Sequence, residues 1–100
     1  MGHVTLSPNA ERIILEQVVD DWLFDKLIDH LRRIAEHPTT MTEPAVSPPY
    51  PPGRLMSNFH LEDSAGELWT FVVLLKRTSD EEGIYVTSLT IGGPDYRPYA

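Results

Sequence analysis

Six of the nine prolines fall within residues 38–53, and this proline-rich segment divides the chain into two parts with different patterns. Proline fixes φ and lacks a backbone N–H, so the segment forms neither a helix nor an interior strand. We expect an extended connection, rich in polyproline II conformation, that crosses the surface. The two flanking parts belong to one domain over residues 1–100, because a chain of 100 residues leaves no room for a second.

The first part is predicted to be helical. Residues 9–37 contain neither glycine nor proline, Ser7 and Pro8 supply a helix start, and Pro38 marks the end. Apolar residues in the second half of this region recur at helical spacing on one face: Phe24, Leu27, Ile28, Leu31, Ile34 and Ala35. The stripe is interrupted near residues 20–21, which favours two antiparallel helices over a single long one.

The second part has a period of two. Residues 55–61 alternate between apolar and polar side chains, which predicts a half-buried strand. Residues 68–76 are almost continuously apolar and predict a central strand covered on both faces, and residues 84–91 predict a third strand. With a short strand at residues 4–6, the predicted fold class is α+β. It comprises a short N-terminal strand, an antiparallel helix hairpin, and a three-stranded antiparallel meander with the helices on one face.

Composition and histidine spacing disfavour several kinds of binding and catalytic site. The net charge of -7 counts against bulk electrostatic binding to nucleic acid but leaves room for a local basic patch. No cysteine is present, so there is neither a disulfide framework nor a thiolate nucleophile. His30 and His37 would lie about 10 Å apart along a helix, too far to share one metal ion, and we expect both to be exposed.

Two features of the sequence predict the compartment. The longest apolar run, Phe71–Leu75, is far shorter than the roughly 20 residues that a membrane span needs. The first residues show no basic region followed by an apolar core, so they do not resemble a secretory signal. We therefore expect a cytoplasmic protein without a membrane partner.

Two short motifs resemble the RelE/ParE toxin superfamily. Residues 4–11, VTLSPNAE, are similar to the family's first strand running into its S-P-x-A helix start. Residues 31–38, LRRIAEHP, resemble the L-x-x-L-A-x-x-P end of its second helix. The distance between the two prolines and the order of the later strands also suit the family, so the likeness covers most of residues 3–97.

The resemblance implies a small bacterial protein encoded beside an antitoxin that folds across it. Members of the family cleave mRNA, commonly on the ribosome, or poison DNA gyrase, and some have lost activity. We predict a toxin whose activity is mRNA cleavage without a metal or other cofactor. The alternative is a non-catalytic protein-binding module, either a degenerate toxin or a gyrase-type inhibitor. A third interpretation is an unrelated α+β domain that shares only the order of elements.

Metal-independent RNA cleavage needs a proton acceptor, a proton donor and cations that stabilise charge on phosphorus. The candidate catalytic residues are Arg54, His60, Lys76 and Tyr96, and the candidate substrate-binding residues are Arg77 and Arg97. Arg54 and Tyr96 match positions where the family often has Arg and Tyr. His60 lies on the polar face of its predicted strand and could act as acid or base if the sheet gathers Arg54 or Lys76 near it.

Three features depart from the family's pattern. Family toxins are usually basic, whereas this chain carries a net charge of -7. Residues 69–72 read WTFV where an aromatic-Arg pair is common, and Gly92 and Gly93 stand where many members have a basic pair. Each departure favours the binding module over the nuclease.

Four large apolar side chains lie near the helices and the linker: Trp22, Phe24, Met41 and Tyr50. They either fill the core or form an exposed apolar groove for a partner helix. In a family that holds an antitoxin, such a groove would serve as the contact surface.

Overall fold

The computed structural model describes residues 2–45, 50–79 and 82–94. Its elements are β1 (His3–Leu6), α1 (Pro8–Gln17), α2 (Asp21–Glu36), β2 (Glu43–Pro44), β3 (Leu55–Glu62), β4 (Leu68–Arg77) and β5 (Gly83–Gly92). The α+β class is confirmed, with two helices and one sheet.

The sheet has five strands in the order β1-β5-β4-β3-β2, where four were expected. β3, β4 and β5 form the antiparallel meander that the period-two pattern predicts. β1 pairs with β5 in parallel, so the sheet is mixed, not wholly antiparallel. The additional strand, β2, lies in the proline-rich segment and pairs only with Leu55 and Met56 at the sheet edge, where a proline is tolerated.

A side-chain cap marks the start of each helix. The Oγ of Ser7 accepts a hydrogen bond from the N–H of Ala10 at 3.1 Å and caps α1. The Oδ1 of Asp20 accepts from the N–H of Leu23 at 2.9 Å and caps α2, which confirms the break near residue 20. Neither described helix is both long and apolar enough to cross a bilayer.

The core lies between the helices and one face of the sheet. Its largest fully buried side chains are Ile14, Leu23, Leu27, Leu31 and Ile34 from the helices and Phe71, Val73, Leu75, Ile84 and Val86 from the strands. Burying one such side chain stabilises the fold by about 1.5–3 kcal/mol relative to leaving it in water. Because the strand residues alternate, every second side chain points away from this core.

The helices cover only one face of the sheet. β4 is the central strand, as predicted, but the expectation that both of its faces are covered is wrong, because Val72 and Leu74 are only half-buried. We call the uncovered side the open face. Its residues are Met56, Asn58 and His60 of β3, Val72, Leu74 and Lys76 of β4, and Tyr85, Ser88 and Thr90 of β5.

One glycine permits the parallel pairing of β1 with β5. Gly83 is buried opposite His3, and a Cβ atom at this position would lie 2.5 Å from the carbonyl oxygen of His3. A larger residue would therefore push the two strands apart.

Candidate functional site

Two of the predicted catalytic residues lie side by side at one end of the sheet. Leu55 pairs with Leu75, so Arg54 and Lys76, the next residues along each strand, lie opposite one another. Lys76 in turn pairs with Tyr85 of β5, and its Nζ lies 5.5 Å from the centre of the Tyr85 ring. We call Arg54, Lys76 and Tyr85 the basic corner.

Backbone hydrogen bonds hold Arg54 at this corner. Its N–H donates to the carbonyl of Pro51 at 3.4 Å, and its carbonyl accepts from the N–H of Ala45 at 3.0 Å. Its side chain is half-buried, whereas that of Lys76 is exposed. Two cations beside a phenol form a surface that can bind a phosphate group.

His60 lies far from the basic corner. It follows Arg54 by six residues in an extended strand, which separates them by about 20 Å. Its Nδ1 lies 3.0 Å from the Oγ1 of Thr70, and its ring is exposed. His60 could serve as acid or base only near Arg54 or Lys76, and the sheet does not bring them together.

The sheet also separates the two consecutive basic residues of β4. Arg77 pairs with Ile84 on the helix side, whereas Lys76 lies on the open face. Arg77 lines a cavity of about 580 Å³ at the helix-side end of the sheet together with Gly2, His3, Ala35, Glu36, Pro38 and Glu82. Tyr96 and Arg97 lie outside the described residues.

The middle of the open face is apolar. Met56 pairs directly with Leu74, and Val72 follows one position along the same face of β4. All three side chains are half-buried with no described helix or strand above them. Polar residues border them, among them Asn58, which pairs with Val72, and Ser88, which pairs with Leu74. An apolar centre with a polar border is typical of a protein contact surface.

Of the two alternatives for Trp22, Phe24, Met41 and Tyr50, the exposed groove does not form. Trp22 lies in the first turn of α2 and Met41 beyond its end, and a helix of 16 residues separates them by more than about 20 Å. Phe24 and Met41 pack against the core, whereas Trp22 is 55% exposed. The Nζ of Lys26 lies 5.0 Å from the centre of the Trp22 ring.

His30 is half-buried, so the expectation that it is exposed is wrong, whereas His37 is exposed as predicted. The centre of the His30 ring lies 3.8 Å from that of Phe59. Burial, and secondarily the charge of Arg33, lower the pKa of His30. The sequence does indicate this partial burial, because His30 follows Leu27 by three residues and therefore borders the apolar stripe.

Two aspartates hold the β3–β4 turn in place, one from the start of α2 and one from within the turn, and sequence reasoning missed both contacts. Asp20 accepts hydrogen bonds from the hydroxyl and the N–H of Ser64, and the hydroxyl bond is the main cause of its lowered pKa. Asp63 accepts from the indole N–H of Trp69 at 2.9 Å, and this bond lowers its pKa most. The turn residues Asp63 and Ser64 are recognisable in the sequence, but the contact of Ser64 with Asp20, 44 positions earlier, is not.

Among residues 2–45, 50–79 and 82–94, no three His, Asp or Glu side chains lie close enough to share a metal ion. Comparison with known proteins finds no matching family model, no matching curated protein and no matching solved structure.

Proposed function

We propose that this protein is the protein-binding module of a bacterial toxin–antitoxin pair with a RelE/ParE-like fold, and that it binds its antitoxin in the cytoplasm. The observation that carries the proposal is the apolar centre of the open face, formed by Met56, Val72 and Leu74 within a polar border. The order of elements, a strand, two helices and then an antiparallel meander, is the order that the sequence resemblance implies.

The positions of the charged groups favour binding over catalysis. His60 and the basic corner lie about 20 Å apart on β3, too far to act on one phosphodiester. The net charge of -7 opposes phosphate binding and favours a basic protein surface. We therefore expect the antitoxin to carry a net positive charge overall, complementary to the net charge of this chain.

The basic corner supports a second candidate, mRNA cleavage. Arg54 and Lys76 lie opposite one another, and the phenol of Tyr85 is next to Lys76. These groups could bind a phosphate and move a proton. This activity requires only the corner, so its test is independent of the apolar centre.

The binding function is tested by co-expression with the product of the short reading frame beside this gene. Light scattering after size-exclusion chromatography should detect one complex of both chains. The double variant Val72→Glu/Leu74→Glu should abolish the complex, because it introduces two charges into the apolar centre. Its matched control is Leu15→Glu, at a 65% exposed position on α1, which should leave the complex intact.

Both variants should keep the circular dichroism spectrum of the parent, so that loss of binding reports on the surface and not on folding. A complex that persists in the Val72→Glu/Leu74→Glu variant would remove the open face as the binding surface. A complex that is lost in the control would show that binding depends on the helices instead.

The catalytic candidate is tested by inducing the chain alone in a bacterial host and following incorporation of labelled amino acids. An mRNA-cleaving toxin should stop incorporation rapidly, and Arg54→Ala/Lys76→Ala should restore it. Unchanged incorporation with soluble protein would leave only the binding function.

A further inference from the structure

β3 has an edge that its neighbours cover only in part. β4 pairs with the whole strand on one side, whereas β2 pairs only with Leu55 and Met56 on the other. The hydroxyl of Ser57 donates to the carbonyl of Met41 at 3.0 Å, so the chain after α2 covers this position as well. From residue 58 to residue 62, no strand among the described residues pairs with this edge.

The edge of β3 at residues 58–62 can pair with a further strand. Its five residues extend over about 16 Å, and alternate backbone N–H and C=O groups point outward along it. Protected edges usually carry a proline, a charged side chain or a bulge, and of residues 58–62, NFHLE, only the last, Glu62, is a carboxylate or other permanent charge. The register with β4 is also regular over this stretch.

A cleft lies directly beside the edge on the helix side. It has a volume of about 220 Å³ between α2 and β3 and is lined by Lys26, Asp29, His30, Arg33 and Leu61. The four α2 residues are spaced by three, one and three positions, so they share the face of the helix that looks onto β3. A strand added to β3 would place every second side chain in this cleft.

The charge of the cleft is positive although the chain as a whole is acidic. Lys26 and Arg33 contribute two cations, and the only carboxylate of the lining, Asp29, lies 3.9 Å from the Nη1 of Arg32. The Nζ of Lys26 also lies over the ring of Trp22, one turn earlier in α2. The side chains that fit the cleft are therefore carboxylates at alternate positions of an extended segment.

We propose that residues 58–62 of β3 bind an extended acidic segment of a partner protein by strand addition, with its carboxylates in the cleft beside Lys26 and Arg33. The inference rests on the proposed function only in that the chain is a protein-binding module. It concerns a different surface from the apolar centre, and it adds that the partner is acidic along this edge.

The test uses the full chain, labelled with nitrogen-15, and the capped peptide Thr-Glu-Val-Glu-Val-Glu-Thr. Peptide binding should shift the amide resonances of residues 58–62 and of α2 around Lys26 and Arg33. Replacing the three Glu of the peptide by Lys should abolish the shifts. The variant Lys26→Glu/Arg33→Glu should weaken binding at least about tenfold, or 1.4 kcal/mol.

Two matched controls separate strand addition from general charge attraction. The variant Arg12→Glu/Leu15→Glu/Gln17→Glu makes the same change in net charge at exposed positions of α1, outside the cleft lining, and should bind the acidic peptide as the parent does. Two further peptides carry N-methyl groups, one on the Glu amides and one on the Val amides, and at least one of them should fail to bind because its edge can no longer donate to β3.

The proposal is overturned if both N-methylated peptides bind like the parent peptide, or if the shifts map outside residues 58–62 and the cleft. It is also overturned if these amide resonances depend on protein concentration and sedimentation shows a dimer, because a second copy then occupies the edge. None of these readouts involves the antitoxin or cell growth, so failure of the proposed function leaves this test unaffected.

Discussion

Ser7 connects the helical layer to the sheet, and replacing it by alanine should destabilise the protein by about 2 kcal/mol. Its side chain is 7% exposed and makes two hydrogen bonds. The Oγ accepts from the N–H of Ala10 at 3.1 Å, which caps α1, and donates to the carbonyl of Thr87 at 2.9 Å, in β5. Loss of an N-cap costs about 1 kcal/mol, and loss of a partly buried hydrogen bond costs roughly another 1 kcal/mol.

Glycine at the same position separates the two contributions. Glycine is tolerated at an N-cap at a cost of only a few tenths of a kcal/mol, so Ser7→Gly should lose mainly the bond to Thr87 and cost about 1 kcal/mol. A matched control is Ser79→Ala, at an exposed position between β4 and β5, which should change stability by less than about 0.5 kcal/mol.

Urea unfolding followed by circular dichroism measures all three variants. The Ser7→Ala midpoint should fall at an unchanged m-value, and the melting temperature should fall by about 8–16 °C for a domain of this size. A cost below about 0.5 kcal/mol for Ser7→Ala would show that water or a shifted backbone replaces both bonds. Equal costs for Ser7→Ala and Ser7→Gly would refute the capping role.

Three further predictions concern single positions. Gly83→Ala should displace β1, because its Cβ would lie 2.5 Å from the carbonyl oxygen of His3, and β1 amides should then exchange faster with deuterium. Gly93→Ala is the control, since its Cβ would meet only an indole at 3.8 Å. Hydrogen bonds, chiefly from the indole N–H of Trp69, lower the pKa of Asp63 below 3.8. The contribution of the charged Asp63 to stability is therefore complete above pH 3.8 and is lost as the pH falls through the lowered pKa. The urea midpoint of Asp63→Asn should therefore fall less than that of the parent when the pH is lowered below 3.8. Burial lowers the pKa of His30 below 6.5, so the unfolded chain binds more protons between the two pKa values and stability falls as the pH drops through that interval. His30→Phe keeps an aromatic ring and should remove this part of the pH dependence, while an unchanged profile would contradict the assignment.

The local elements of this fold were predictable because short-range chemistry determines them. Ser7 and Pro8 mark the start of α1, and Asp20, where the apolar stripe is interrupted, is the N-cap of α2. The alternating residues 55–61 form β3. Each of these signals lies within a few residues of the structure it specifies, so no tertiary information is needed. The α+β class follows from their order along the chain.

The candidate site was only partly predictable, because side chains distant in sequence meet according to strand register. The sequence presents Arg54, His60 and Lys76 as equivalent candidates on one sheet. The register of β3 with β4 pairs Leu55 with Leu75, which brings the adjacent Arg54 and Lys76 to the same end of the sheet and leaves His60 at the other end. The half-buried state of His30 likewise depends on how α2 crosses β3, which places Phe59 against its ring.

The sequence by itself determined where the two helices and the strands other than β2 lie along the chain, because these depend on backbone preferences and on the spacing of apolar residues. Only the tertiary structure decided that β1 returns parallel to β5, that the helices cover one face of β4, and that no described strand beyond β2 pairs with the outer edge of residues 58–62 of β3. These choices depend on long-range pairing and on the amount of apolar surface that two helices can cover. Local preference carries little information about either, because the period of two within a strand does not say which strand lies beside it.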